Sequence, residues 1–205
     1  PIKSSAASDV YKRQELEIDG AGRDDDFAEE LLDIANAHAD LLYIKTDGSL
    51  DDGMELVSHP CTMDYHINEF PWEDIMHRAV RQGYRSHQTS TCGLHLHVNR
   101  NAFSDNQEEQ DEVISRILYF VEHHWNELLK FSRRSEYTMN RWAARYGYEH
   151  TPKAIMDKAK KGGNGRYAAV NLCNYHTVEF RLFRGTLKYN TFIATCLLYT
   201  SDAAD

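Results

Sequence analysis

The sequence predicts an α+β domain in which an antiparallel-rich sheet carries helices on one face. Several short segments alternate apolar and polar residues, as half-buried strands do. Residues 107–134 repeat apolar side chains at helical spacing, which predicts one long helix. The segments follow neither the strand–helix alternation of a parallel sheet nor an all-β pattern, so we expect strands and helices to form separate layers.

The two ends of the chain are predicted not to belong to this domain. One DNA string encodes residues 4–14 on one strand and residues 196–205 on the opposite strand, and it is identified as a transposon-end sequencing adapter. Such segments are excluded from reasoning about a fold. We therefore interpret residues 1–14 and 195–205 as adapter and residues 15–194 as the domain, which we expect to be truncated at both ends.

The first elements follow from local chemistry. Residues 15–19 alternate as a strand. A helix is predicted after Asp24, because carboxylates favour the positive N-terminal end of a helix, and Phe27, Leu31 and Ile34 continue it at helical spacing. Further elements are predicted as strands at 41–45, 54–58 and 94–99, helices at 72–81 and 152–160, and a mobile loop at 160–165.

The last part of the domain is predicted to be a β-hairpin. Residues 166–173 and 177–183 form its strands, and residues 174–176 connect them. Earlier in the chain, Asp47-Gly48 is typical of a tight turn. Gly83 marks the end of the helix that begins at residue 72.

Composition excludes several classes of function. The net charge is -9, and an acidic chain is a poor binder of nucleic acid or anionic membranes. No segment has the apolar run that a membrane span needs. Outside the predicted adapter the cysteines are Cys61, Cys92 and Cys173, which form no CxxC pair, so neither a disulfide framework nor a zinc ribbon is indicated. We expect a cytoplasmic protein.

Four predicted strands carry chemically unusual polar faces. Residues two apart on a strand share a face, so each strand has one apolar and one polar side. The polar sides carry Glu15, Glu17 and Asp19 on the first strand, Glu55 on another, His95, His97 and Asn99 on a third, and Glu179 with Arg181 on the fourth. A merely solvated face would show a more varied mix of side chains.

These groups predict a site for divalent cations and phosphate. Carboxylates that share one cavity repel each other, and burying them without partners costs several kcal/mol each. Mg²⁺ or Mn²⁺ would offset that cost, because both ions prefer oxygen ligands and Mn²⁺ accepts a histidine. Arg181 would suit a phosphate. Taken singly, each motif has a simpler explanation, such as a solvated edge strand or a cross-strand ion pair.

Together the motifs resemble those of the amidoligase family, which is similar to glutamine synthetase and the glutamate–cysteine ligases. The matching stretches, in family order, are ELEID (15–19), DGSL (47–50), ELVSHP (55–60), CGLHLHV (92–98), RYAAVN (166–171) and TVEFRLFRGTL (177–187). The resemblance implies that residues 15–194 are a fragment of a glutamine-synthetase-like catalytic domain. It also implies a curved antiparallel-rich sheet with its helices on the convex face.

The resemblance also implies roles for single residues. Glu17 and Glu55 look like ligands of one metal, while Glu15, His95 and Glu179 look like ligands of the metal that bridges the ATP phosphates. Arg181 resembles the arginine that steadies the transferred phosphoryl group, so the implied catalytic residues are His95, Glu179 and Arg181. The implied nucleotide contacts are Arg181, His97, Arg166 and Arg184, and further substrate candidates are Arg141 and Asp47.

The implied reaction is ATP-dependent joining of a carboxylate to an amine through an acyl phosphate, with Mg²⁺ or Mn²⁺. The substrates would be small molecules or peptides, and the sequence identifies neither them nor an oligomeric state. One alternative is a zinc hydrolase that uses the His95–His97 pair to activate water. A second alternative is a degenerate nucleotide-binding domain without catalysis.

Overall fold

A computed structural model describes residues 10–198, so residues 10–14 and 195–198 of the predicted adapter ends are included. Residues 1–9 and 199–205, which carry the rest of that prediction, lie outside the described residues. In chain order the elements are β1 (Lys12–Asp19), α1 (Asp25–Ala35), β2 (Leu42–Lys45), β3 (Gly53–Ser58), α2 (Met63–Asn68), α3 (Trp72–Gln82), β4 (Gly93–Asn99), α4 (Gln107–His123), α5 (Trp125–Ser132), α6 (Glu136–Trp142), α7 (Pro152–Lys160), β5 (Val170–Asn171), β6 (Thr177–Arg184) and α8 (Tyr189–Leu197).

The α+β class is confirmed by six strands and eight α-helices among residues 10–198. Every strand pair whose register is known, β1–β3, β2–β3 and β5–β6, is antiparallel. The chain divides into two compact units. The first contains the described residues up to Leu96 and from Arg184 onward, and the second contains His97–Phe183, so the division falls inside β4.

The first unit contains strands in the order β2-β3-β1-β4. Leu16 and Ile18 of β1 and Leu56 of β3 are completely buried, as alternation predicts. The glutamates on the opposite side of these strands are buried as well. Neither face of the sheet is therefore exposed to solvent along β1 and β3, and the buried polar residues of these strands require a specific explanation.

Two helices of the first unit form as predicted. The side chain of Asp24 accepts a hydrogen bond from the N–H of Phe27 at 3.0 Å, which caps α1. Helix α3 ends at Gly83, whose φ of 103° suits a residue without a side chain. Helix α1 packs against α3 and β2, and its buried residues Phe27 and Leu31 provide the apolar contact.

A close strand contact explains one glycine of the first unit. Gly53 begins β3 opposite Asp19 at the end of β1. A Cβ atom at this position would lie 2.0 Å from the carbonyl oxygen of Ile18 and 2.7 Å from the Cα of Asp19. Only glycine therefore lets the two strands pair at this end.

In the second unit, the predicted single helix over residues 107–134 is wrong. Helix α4 ends at His123 and α5 begins at Trp125, because His124 leaves the helical conformation with φ -107° and ψ 27°. The apolar stripe continues through Leu118, Val121 and Leu128, which are buried on both sides of the break. Because the apolar residues before and after this one-residue interruption remain on the buried side, hydrophobic periodicity alone does not detect the break.

The predicted hairpin is confirmed only in part. Strand β6 forms as expected, but its partner β5 contains only Val170 and Asn171. Residues 165–167 form a 3₁₀ turn instead of a strand. Helices α2, α6 and α8 were not predicted, because each is short and has few residues at helical spacing. No helix among residues 10–198 combines the length and apolar character required to cross a bilayer.

Candidate metal centre

Two glutamates of the first unit face each other across neighbouring strands. Glu17 of β1 and Glu55 of β3 are direct partners in the antiparallel register. Glu17 is 3% exposed and Glu55 is 2% exposed. Like charges directly opposite each other destabilise a sheet, and burial strengthens their repulsion. The pair is therefore costly unless another group neutralises it.

His95 of β4 completes a compact group of possible ligands. Glu17, Glu55 and His95 each offer one ligand atom, and these atoms all lie within 4.8 Å of one another. His95 is buried, and its Nδ1 lies 3.6 Å from Oε2 of Glu15, which is also buried. Three strands thus bring four of the five predicted metal ligands together within the first unit: Glu15, Glu17, Glu55 and His95.

The electrostatics of this group favour a bound cation. Burial and the neighbouring carboxylates of Glu15 and Glu17 together raise the pKa of Glu55 to about 9, against the opposing effect of Lys45. Two cations lie nearby: the Nη2 of Arg13 is 2.6 Å from Glu15, and the Nζ of Lys45 is 3.2 Å from Glu55. Three carboxylates face two cationic side chains, so negative charge remains when all are ionised.

The carboxylate of Glu17 is held in place by its neighbours. Its Oε2 accepts a short hydrogen bond from the N–H of Gly93 at the start of β4. The hydroxyl of Ser86 donates to the main-chain oxygen of Glu17 at 2.7 Å. A fixed carboxylate loses little conformational freedom when it binds an ion, which favours binding.

Asp19, which shares the polar face of β1, has a structural role. Its carboxylate accepts hydrogen bonds from the N–H groups of Asp51 and Asp52, at 3.1 and 2.7 Å, and from the hydroxyl of Thr91 at 3.0 Å. Burial opposes ionisation, but these donors and the N–H of Gly20 outweigh it and lower the pKa of Asp19. Asp19 therefore fixes the loop that leads into β3.

The second unit contains the remaining predicted ligand, Glu179 of β6. Its Oε2 accepts hydrogen bonds from the side-chain amides of Asn171 and Asn174, at 2.6 and 3.0 Å. Its Oε1 accepts a hydrogen bond from Nη1 of Arg181 at 2.5 Å. Asn171 and Glu179 are direct partners in the β5–β6 pair. The short strand β5 thus positions a buried carboxylate beside an arginine.

His97 belongs to the second unit and has different neighbours from His95. Its Nδ1 lies 3.1 Å from the hydroxyl of Thr177, and its Nε2 lies 3.9 Å from Oε1 of Glu179. No group of potential metal ligands among residues 10–198 includes His97. The geometry therefore does not favour a zinc site built on the HxH pair.

The predicted nucleotide and substrate contacts are spread over both units. Arg166 is exposed, lies over the Tyr167 ring at 4.9 Å, and donates to its hydroxyl at 2.8 Å. Arg181 lies 6.0 Å from the same ring. Arg141 is exposed and stacks on Trp142, while Arg184 ends β6 in the first unit.

Asp47 behaves as the turn residue that its sequence context indicates. Its side chain accepts a hydrogen bond from the N–H of Ser49 at 2.6 Å, and its carbonyl accepts one from Leu50. The Asp-Gly pair therefore stabilises its own turn.

Sequence reasoning did not identify several residues that organise these groups. Lys45 lies opposite Glu55 in the β2–β3 register. Burial acts to lower the pKa of Lys45, but Glu15 and Glu55 attract its positive charge, and the pKa is raised. Asn171 and Asn174 support Glu179. Lys45 is the last residue of the strand predicted at 41–45, but a single sequence does not show the strand register that decides its partner.

A comparison with models of known protein families finds a match over most of the chain. A family model described as "Putative amidoligase enzyme" matches residues 21–199 of the chain. The match includes Glu55, His95, Glu179 and Arg181, and it begins after Glu15 and Glu17. A comparison with curated proteins gives no match.

Proposed function

The chain belongs to the amidoligase enzyme family, and from this membership we propose that it is an ATP-dependent ligase that joins a carboxylate to an amine. The proposed domain is glutamine-synthetase-like, with a curved sheet and helices on the convex face. The observation that carries the proposal is the buried group of Glu17, Glu55 and His95, whose ligand atoms lie within 4.8 Å of one another.

The donor set fits Mg²⁺ or Mn²⁺. Carboxylate oxygens suit both hard ions, and the one imidazole is compatible with Mn²⁺. Glu17 and Glu55 would hold one ion, and Glu15, His95 and Glu179 would hold the ion that contacts the nucleotide phosphates. When bound, these ions would neutralise phosphate oxygens and the buried carboxylates together.

The side chains of the second unit suit phosphoryl transfer. Arg181 is held by Glu179, so its guanidinium is oriented before a ligand arrives. A pre-oriented arginine stabilises charge that develops on a transferred phosphoryl group. His97, Arg166 and Arg184 would contact the nucleotide, with Arg181 acting at the phosphate.

The proposed reaction has two steps. A carboxylate oxygen of the substrate attacks the γ-phosphorus of ATP, which forms an acyl phosphate and releases ADP. The nitrogen of an amine then attacks the acyl carbon, the bond to the phosphate oxygen breaks, and inorganic phosphate leaves with an amide as product. In this scheme the contribution of the protein is positioning and charge stabilisation, as in other phosphoryl transfers.

Metal binding and acyl-phosphate formation can be tested separately. Calorimetric titration with Mn²⁺ is expected to show at least about tenfold weaker binding in Glu17→Gln and Glu55→Gln than in the unmodified chain. Hydroxylamine, which converts acyl phosphates to hydroxamates, would report activation when supplied with ATP and a panel of carboxylates. Glu179→Gln and Arg181→Gln are expected to abolish hydroxamate formation.

Glu112→Gln is the matched control, because Glu112 lies on the exposed side of α4 and pairs with Arg116 in its own helix. Unchanged Mn²⁺ affinity in both Glu17→Gln and Glu55→Gln would reject the metal centre. Tight zinc binding without nucleotide binding would instead support the hydrolase, and nucleotide binding without turnover would support the non-catalytic alternative.

A further inference from the structure

A surface cavity of the first unit lies outside the proposed metal centre. It has a volume of about 450 Å³ and is formed by the end of α3, the segment that follows, and the residues before α8. Val80, Tyr84 and Leu187 supply apolar surface, while Arg85, His87 and Lys188 supply the charged and polar groups. The cavity therefore combines an apolar wall with cationic side chains.

The fold brings the two sides of this cavity together through a close contact. A Cβ atom on Gly185 would lie 2.1 Å from Oγ of Ser86, so a larger residue at position 185 would displace the buried Ser86 hydroxyl from this contact. The N–H of Gly185 also donates to the carbonyl of Cys92 at 3.3 Å. This contact places Leu187 and Lys188 beside the segment that carries Arg85.

The apolar wall and Arg85 are held rigidly. The Tyr84 hydroxyl donates to the carbonyl of Gly22 at 2.8 Å, and its ring stacks on Phe27 at 5.1 Å between centroids. The main chain of Arg85 exchanges two hydrogen bonds with Asp19 at the end of β1. The cavity is thus preformed, which lowers the cost of ordering it around a ligand.

The charge of the cavity is opposite to that of the chain. Arg85, His87 and Lys188 are exposed, and their side chains make no ion pair or hydrogen bond with any residue in the range 10–198. No aspartate or glutamate lines the cavity. In a chain of net charge -9, cationic side chains usually form ion pairs with nearby carboxylates. Two cationic side chains without such a partner at one concave surface therefore favour the binding of an anion.

We propose that this cavity binds a small organic anion whose carboxylate is held by Arg85 and Lys188 and whose apolar body packs on Tyr84 and Leu187. The cationic side chains supply charge-assisted hydrogen bonds, and the apolar wall explains why the ligand carries a hydrocarbon part. The site goes beyond the proposed ligase reaction, and its ligand binds without metal or nucleotide.

The experiment compares three probes that separate the contribution of the cationic side chains from that of the apolar wall. Hexanoate has both a carboxylate and an apolar body, acetate lacks most of the body, and hexanol lacks the charge. Titrations of the intact chain in EDTA, followed by the NMR signals of the Val80 and Leu187 methyl groups, are expected to show hexanoate binding at least about tenfold more tightly than either other probe.

Two variants and a control locate the binding. Arg85→Gln and Lys188→Gln are each expected to weaken hexanoate binding roughly tenfold. Arg81→Gln, which removes an exposed cation from the last turn of α3 without altering the cavity lining, is expected to leave it unchanged. Equal binding of hexanol, unchanged affinity in both variants, or a preference for inorganic phosphate over hexanoate would overturn the proposal. Because EDTA removes divalent ions, these outcomes are independent of the metal centre.

Discussion

Glu17 of β1 and Glu55 of β3 are direct cross-strand partners, so two buried carboxylates face each other with Lys45 as the nearest cation to Glu55. Ordinary sheet pairing does not place like charges in this way, because the arrangement lowers stability. A site that sacrifices folding stability is commonly one that binds a ligand. If this pair binds the proposed ion, we expect the free energy of unfolding to depend on divalent ions.

The first prediction tests this dependence. In EDTA at neutral pH, the free energy of unfolding of Glu55→Gln is expected to be at least about 1 kcal/mol higher than that of the unmodified chain, because the raised pKa of Glu55 makes folding take up a proton there and glutamine avoids this cost. With Mn²⁺ at about a hundred times its dissociation constant, the unmodified chain should gain about 2.7 kcal/mol and the variant much less. Urea unfolding followed by circular dichroism measures both. A variant that is less stable in EDTA would contradict the interpretation of the pair.

Gly53 provides a second prediction about the same two strands. Gly53→Ala is expected to lower the free energy of unfolding by about 3 kcal/mol or more, because its Cβ would overlap the main chain of Ile18 and force β1 and β3 apart. Gly48→Ala is the control, since a Cβ there would meet nothing within 4 Å. Equal stability of the two variants, measured by urea unfolding, would show that the strands are not so closely paired.

Asp19 distinguishes a structural carboxylate from a ligand. Asp19→Ala is expected to cost about 2 kcal/mol of stability, because the N–H groups of Asp51 and Asp52 lose their acceptor. Amide exchange at those two positions should accelerate, while calorimetric titration should find Mn²⁺ affinity nearly unchanged. A large loss of Mn²⁺ affinity with unchanged amide exchange would place Asp19 among the ligands instead.

His66 makes stability depend on pH in the acid range. Burial lowers its pKa to about 4, and both ring nitrogens are engaged, Nδ1 by the indole N–H of Trp72 and Nε2 by the carbonyl of Lys12. In the unfolded chain the His66 imidazole binds a proton near pH 6.5, whereas in the folded chain it binds one only near pH 4. The free energy of unfolding therefore falls as the pH decreases between these values. The expected loss is about 3 kcal/mol.

The pH dependence is measured by urea unfolding between pH 4 and pH 7. His66→Asn should remove most of the change in unfolding free energy with pH that this residue causes, whatever its effect on stability at pH 7. His59→Asn serves as the control, because 42% of the His59 side chain is exposed and its contact with Asp40 is 3.7 Å long. If both variants keep the slope of the unmodified chain, His66 is not its source.

The sequence predicted which residues lie on the polar sides of the strands better than it predicted how the strands pair. Alternation identified Glu17, Glu55 and His95 as polar-side residues, because side-chain direction follows directly from position on a strand. It did not predict that Glu17 pairs with Glu55, since strand register depends on packing and loop geometry. For the same reason, the partner of Lys45 was not foreseen.

Helix boundaries show a similar limit. The predicted helix at 152–160 forms as α7 with the same bounds, and the one at 72–81 forms as α3 with one more residue at its end, because a proline start and a glycine stop mark them. The interruption at His124 and the 3₁₀ turn at 165–167 were missed. Both lie beside contacts between residues distant in sequence, which periodicity does not report: Arg145 donates to buried Glu122 near the end of α4, and the N–H of Ala144 donates to the carbonyl of Tyr167.

The two asparagines that hold Glu179 limit how this residue can coordinate an ion. Asn171 and Asn174 both donate to Oε2, so we expect a cation to approach Oε1, which it would share with the guanidinium of Arg181. Coordination would then be monodentate, as in the regular octahedral shell of Mg²⁺, whereas Ca²⁺ often takes both oxygens of one carboxylate. If Glu179 holds the proposed ion, the amide pair would therefore favour Mg²⁺ over Ca²⁺ at β6.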